Sequence, residues 1–156
     1  MANPEIIDIT PADLTNYAGF WRRAAALFID LLILSVPTYF LAVMLSDDPA
    51  VSTNTTETVR THAINVYNMV SLLINWLYFS IMESSPRQAT FGKQAVGIFV
   101  TDLAGNRISF GKATLRYFAK VLSSLTLLIG YLMAAFTERK QALHDFIAGT
   151  LVLSKE

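Results

Sequence analysis

The chain has 156 residues, of which 53% are apolar and 15% charged, and its twelve acidic and twelve basic residues balance to a net charge of zero. That balance removes the electrostatic footprint expected of a nucleic-acid binder. The absence of cysteine removes disulfides, thiol catalysis and thiolate metal sites, and two histidines, His62 and His144, are too few for a histidine metal cluster.

Charge-free runs set the class. Sixteen residues separate Asp30 from Asp47 and twenty-two separate Arg60 from Glu83 without a charge between them. The second run matches the hydrocarbon core of a bilayer. The expected fold class is an all-α integral membrane protein. It has two full transmembrane helices, a third apolar segment that is bent or re-entrant, a small cytoplasmic β-hairpin and a C-terminal strand.

Residues 1–19 form a polar tail with Pro4 and Pro11 and no lysine or arginine, so they lack the basic start of a secretory leader. The first span, 20–45, opens on Trp21, Arg22 and Arg23, residue types suited to the membrane interface. At 1.5 Å per residue it is about 39 Å long, enough to leave the arginines among headgroups, and Pro37 is placed to kink it. Its length and Asp30 favour an uncleaved helix over a signal sequence. The stretch from Ser46 to Thr61 is acidic and hydroxyl-rich and reads as an exposed loop. Its Asn54-Thr55-Thr56 triplet fits a glycosylation acceptor but carries no functional weight.

The second span, 62–82, holds Asn65, Asn68 and Asn75 within about 60° of one another on the helix, a stripe that should face protein or water. It reads first as interhelical hydrogen bonding and second as an ion path. Beyond it, 84–112 is basic and punctuated by glycine. Ala95–Thr101, a turn at Asp102–Asn106 and Arg107–Phe110 resemble a β-hairpin. Gly92-Lys93-Gln94 lacks the remainder of a phosphate-binding loop and reads as a turn.

The third apolar segment, 113–137, is divided by Arg116 and Lys120, which read as snorkelling interface residues or lipid-phosphate contacts. Only Val121 to Thr137 is free of charge, about 25 Å as a helix and marginal for spanning. Gly149–Ser154 reads as a strand whose only evident partner is the hairpin. Both should then lie on one side of the membrane, so 113–137 is expected to turn back near Thr126–Gly130, a straight third span being the alternative. Arg60 alone lies in the first loop, against Arg87, Lys93, Arg107, Lys112, Arg116 and Lys120 in the second. The second loop and the amino terminus should be cytoplasmic.

Asp30 stands out because it follows Arg23 by seven residues, nearly on the same helix face, and should lie inside the membrane. A second polar cluster, Glu138 to Asp145, follows the third apolar segment and contains Arg139 and His144. Two readings stand. In one, Asp145 pairs with Arg23 or Arg22 and latches the tail to the first helix. In the other, Asp30 and Asp145 exchange a cation or proton while an arginine lowers one carboxylate's pKa. Arg22, Asn68, Asn75, Arg139 and His144 are the supporting candidates.

The order Gly19-Phe20-Trp21-Arg22-Arg23, Ile29-Asp30 and Gln141-Ala142-Leu143-His144-Asp145 resembles the RDD family of membrane proteins, named for one arginine and two aspartates. Arg23, Asp30 and Asp145 match those positions, with Arg22 the alternative by spacing. The likeness continues through Gln88-Ala89-Thr90-Phe91-Gly92-Lys93, Gly97, Gly105, Ser109-Phe110 and Ala148-Gly149-Thr150, covering 17–153. Residues 20–153 would thus form one membrane domain with its β element at 95–110 and 149–154. The resemblance implies transport of an unidentified ligand, with sodium/proton exchange suggested for some members.

The expected function is therefore cation/proton exchange or small-solute transport in the bacterial cytoplasmic membrane. Two spans and a hairpin can hardly enclose an alternating-access path, so transport would call for a homo-oligomer. The expected partners are the lipid bilayer, further copies of the chain and a monovalent cation or proton, without cofactor, metal or nucleic acid. The rival reading is a non-transporting membrane assembly or interaction factor with structural Arg-Asp pairs. No nucleophile, base and orienting group occur in recognisable spacing, so an enzyme is not expected.

Overall fold

A computed structural model describes residues 16–46, 57–125 and 129–155. The acceptor triplet at Asn54, most of the polar tail and most of the loop before the second span lie outside the described residues. In chain order the elements are α1 (Phe20–Ser46), α2 (Glu57–Glu83), α3 (Phe91–Ala95), β1 (Ile98–Asp102), α4 (Phe110–Leu125), α5 (Ile129–Phe136), α6 (Leu143–Ala148) and β2 (Thr150–Ser154).

Both expected spans are present. Phe20–Leu45 and Thr61–Glu83, 26 and 23 residues long, are apolar enough to cross a bilayer, and only 11% of the most apolar stretch of each is buried in the chain. That exposure separates them from the core helices of a soluble domain, which hide their apolar side chains. Pro37 sits inside α1, where it removes a backbone donor, and the adjacent Thr38 hydroxyl donates to the Leu34 carbonyl at 2.8 Å. The second helix begins at Glu57, five residues before the expected start of its span.

The expected hairpin is not formed. β1 pairs antiparallel with β2, from Ile98 opposite Ser154 to Asp102 opposite Thr150. On the far edge of β1 the place of a returning strand is taken by Gln88. Its carbonyl accepts the Val100 N–H at 2.8 Å, and its side-chain amide donates to the Val100 carbonyl at 2.8 Å. The turn itself exists, because the Asp102 carboxylate accepts the N–H groups of Ala104 and Asn106 at 2.9 and 2.8 Å. After it, Ser109 accepts the Lys112 N–H at 3.3 Å and the chain starts α4 instead of a strand.

The other edge of β2 is bonded by the chain before α1: Ala18 N–H donates to Val152 O at 2.9 Å and Ser154 N–H to Asn16 O at 2.8 Å. Both faces of this small sheet are covered. Ile98, Val100 and Val152 pack with Ala18, Ala26, Ile108 and Ala113 on one side, and Phe99, Leu151 and Leu153 pack with Ala89 and Tyr17 on the other. A strand buried on both faces reads as a continuous apolar run, which is why Leu151-Val152-Leu153 lacks alternation.

The apolar segment 113–137 is divided between α4 and α5, which contact each other. The turn expected at Thr126–Gly130 falls on residues 126–128, outside the described residues, and on the first two residues of α5. α4 packs along the C-terminal end of α2, where Phe79 and Tyr117 rings lie 6.1 Å apart and the Trp76 indole N–H donates to Thr114 at 3.2 Å.

Candidate functional site

Two polar centres lie where α1, α2, α3, α4 and α6 converge. The first is built on Asp30, which is buried to 1% exposure. Its Oδ1 accepts the Tyr78 hydroxyl at 2.7 Å and the Gly92 N–H at 2.8 Å, and its Oδ2 accepts the Thr90 hydroxyl at 2.6 Å. Thr90 is also the N-cap of α3, accepting the Lys93 N–H at 3.3 Å. The carboxylate of one helix thus holds the first turn of another, where unpaired N–H groups favour negative charge. Gly92 makes this approach possible. A Cβ there would meet the Asp30 Cγ at 2.8 Å and collide with the Ala26 carbonyl.

The second centre joins two buried carboxylates through Arg116. Glu83, at the end of α2, accepts Lys93 at 2.6 Å, Lys120 at 2.8 Å and Arg116 at 3.3 Å. Asp145 accepts the other end of Arg116 at 2.6 Å and also pairs with Arg23. Asp145 is placed by its own helix, taking the Ala142 N–H at 3.1 Å in the first turn of α6. That helix then ends at Gly149, whose φ of 59° turns the chain into β2. Arg23 is oriented by donating to the Ala18 carbonyl at 3.0 Å.

Burial raises the Asp145 pKa, but the guanidiniums of Arg116 and Arg23 outweigh it and hold the carboxyl well below the usual range. His144 is pushed down to about 3, chiefly by burial, with Arg116 and Lys120 opposing its protonation and Asp145 favouring it. It is neutral at physiological pH, so its 3.5 Å approach to Asp145 is no ion pair. The balance of charge is uneven: among the described residues, Arg23, Lys93, Arg116 and Lys120 meet two carboxylates in this centre, Glu83 and Asp145. Lys93 registers the excess. Burial, with Arg116 and Lys120 adding to it, brings its pKa down to about 7 against the pull of Glu83.

Of the residues singled out in the sequence, Arg23 and Asp145 meet, whereas Asp30 belongs to the other centre and shares no bonded partner with Asp145 among the described contacts. Arg22 bonds the Ser154 hydroxyl at the end of β2. Arg139 is exposed, Asn68 is exposed on α2, and Asn75 donates to the Ser71 carbonyl of its own helix at 2.8 Å.

Sequence reasoning passed over Glu83, Lys93, Arg116, Lys120, Tyr78 and Thr90. Arg116, read as an interface residue, is only 1% exposed. The signal available was Glu83, the first charge after twenty-two uncharged residues, followed by a basic segment holding Lys93 and the Arg116/Lys120 pair one helical turn apart.

The RDD family matches this chain over residues 17–149. Three proteins of Bacillus subtilis (strain 168) are similar to it. One, described as "Uncharacterized protein YxaI", is 36% identical over 88% of this chain and 97% of its own length. "Uncharacterized membrane protein YteJ" is 28% identical over 90% of this chain and 82% of its own, and "Uncharacterized protein YckC" is 28% identical over 86% and 83%. No solved structure matches the chain.

Proposed function

The chain belongs to the RDD family of membrane proteins, and from that premise we propose that it is a non-transporting assembly or interaction factor whose arginine and aspartates are structural. One observation carries this reading: the Asp30 and Asp145 carboxylates are already bonded on both oxygens inside the chain, and Arg23 is held there through Asp145 and the Ala18 carbonyl. Asp30 has three donors, and Asp145 has two guanidiniums and a backbone N–H. A carboxylate that carries an ion must release its partners each cycle, and breaking a buried pair costs about 3–5 kcal/mol.

The pairing of β1 with β2 supports a re-entrant course for α4 and α5, since it holds the C-terminal strand beside the basic 84–112 segment. The lysine and arginine excess of that segment supports a cytoplasmic position for both, and for the amino terminus, in the bacterial cytoplasmic membrane. The sheet and tail would then be the surface offered to a partner.

A second reading, cation/proton exchange, is favoured by the three cations gathered on Glu83 and by a lysine whose proton is loosely held near neutral pH. It would need several copies of the chain to enclose a path. The test is proton, sodium, potassium and lithium flux in proteoliposomes of wild type and of Asp30→Asn and Asp145→Asn. No flux in the wild type, with reduced thermal stability in both variants, is the expected result. Flux that disappears in variants of undiminished stability would overturn the structural reading.

A further inference from the structure

The outer half of α2 carries polar side chains where a lipid-facing helix should have none. Thr61, Asn65, Asn68, Leu72, Asn75 and Phe79 succeed one another at intervals of four, three, four, three and four residues. That is the spacing of a coiled-coil seam, which keeps one line of side chains facing one partner helix. The inner end of the seam is already occupied, because Phe79 is buried with Leu34 and Tyr117. Among the described residues its other end is open: Asn65, Asn68 and Leu72 are exposed, with Ile64 and Met69 exposed beside them.

Depth makes the exposure costly. Asn68 and Asn65 stand fifteen and eighteen residues before Glu83, about 22 and 27 Å along the axis. With Glu83 at the inner boundary, both lie within the roughly 30 Å hydrocarbon core. Neither carboxamide has a hydrogen-bond partner among the described residues, and lipid offers none. The Ser71 hydroxyl nearby is likewise buried without one.

We infer that this seam is a self-association face, closed by α2 of a second copy of the chain in a parallel pair. The occupant follows from the asparagines. All copies insert in one orientation, so side chains at equal depth meet across a two-fold axis without any adjustment of register. A carboxamide both donates and accepts, so each asparagine can satisfy its own symmetry mate. An asparagine on a heptad seam fixes register and pairing in the same way. A different helical partner would have to supply polar groups at both depths. The inference stands on α2 alone, apart from the charged centres, so its failure leaves the structural reading of Arg23, Asp30 and Asp145 untouched.

The chain has no cysteine, so single thiols report proximity directly. The full chain would be placed in bilayers at low protein-to-lipid ratio with either Leu72→Cys, on the seam, or Val66→Cys, exposed on another face, and mildly oxidised. Leu72→Cys should form linked dimers and Val66→Cys should not. Adding Asn65→Leu and Asn68→Leu to the Leu72→Cys chain should weaken pairing about tenfold, with helical content by circular dichroism unchanged. Leu72→Cys that stays monomeric, equal linking at both positions, or linking indifferent to loss of folded chain's asparagines would each overturn the inference. Should the double variant not fold, the comparison of the two thiol positions decides.

Discussion

The two ends of this molecule follow opposite rules. Where α1, α2, α4 and α6 converge, Asp30, Glu83, Arg116 and Asp145 are each no more than 1% exposed, and their carboxylates are met by hydroxyls, backbone N–H groups or cations. Toward the C-terminal end of α1 and the N-terminal end of α2, Val36, Tyr39, Phe40, Met44, Ile64 and Met69 stand exposed. Water cannot solvate the first group and need not solvate the second. The fold is therefore held by specific polar contacts at one end and by the bilayer at the other, and substitutions at the two ends should behave differently.

The sharpest way to break that contrast is Arg116→Met. It removes the side chain that bridges Glu83 and Asp145 while preserving bulk, and should cost about 3–5 kcal/mol in reversible unfolding in detergent or bilayer, because two carboxylates lose a buried partner. A cost below about 1 kcal/mol would mean that the centre is better solvated than its geometry indicates.

Next in size is Gly92→Ala, where the added methyl has no room against Asp30 and the Ala26 carbonyl. Overpacking of this kind costs about 1–3 kcal/mol. The loss should fall on the seat of α3 against α1, so proteolysis between 84 and 97 should speed up before global unfolding does. Tyr78→Phe, which deletes one donor to the Asp30 carboxylate and leaves the ring, should cost about 1.5 kcal/mol by the same unfolding measurement.

The spans were legible in the sequence because a charge-free run is a local property, and Gly149–Ser154 was legible because a short apolar strand after a glycine is local too. The partner of β1 was not. Arg107–Phe110 has the composition of a return strand, and only the cap at Ser109 and the bonds from Gln88 to Val100 exclude it. The Arg23–Asp145 contact was anticipated because few charges stand near the membrane boundary. Glu83 was missed because its partners Arg116 and Lys120 lie 33 and 37 residues away, and no periodicity links positions so far apart. Asp30 stands out in the sequence because depth in the membrane shows there, whereas the Thr90 and Gly92 donors that bond it do not.

Lys93 sharpens the contrast through pH. Its pKa is near 10.5 in the unfolded chain and about 7 in the folded one. Between those values the unfolded chain binds the extra proton, so folding stability should rise as pH increases from 7 toward 10. Lys93→Met removes this titration, and its melting temperature should be flatter over the same window. A wild-type melting temperature that falls across it would show that the attraction of Glu83 outweighs the burial of the lysine.

The smallest effect should come from Phe40→Ala. In a soluble protein, truncating a buried phenylalanine costs about 3–5 kcal/mol, but Phe40 is 60% exposed on α1, its ring edge-to-face with Tyr39. Lipid tails are as apolar as the ring they would replace, so no hydrophobic driving force is lost when they fill its place. The expected change in unfolding free energy in a bilayer is within about 0.5 kcal/mol. A cost of several kcal/mol would mean that protein, not lipid, covers this face, and the outer half of α1 would then belong with α2 among the surfaces by which the chain meets its partners.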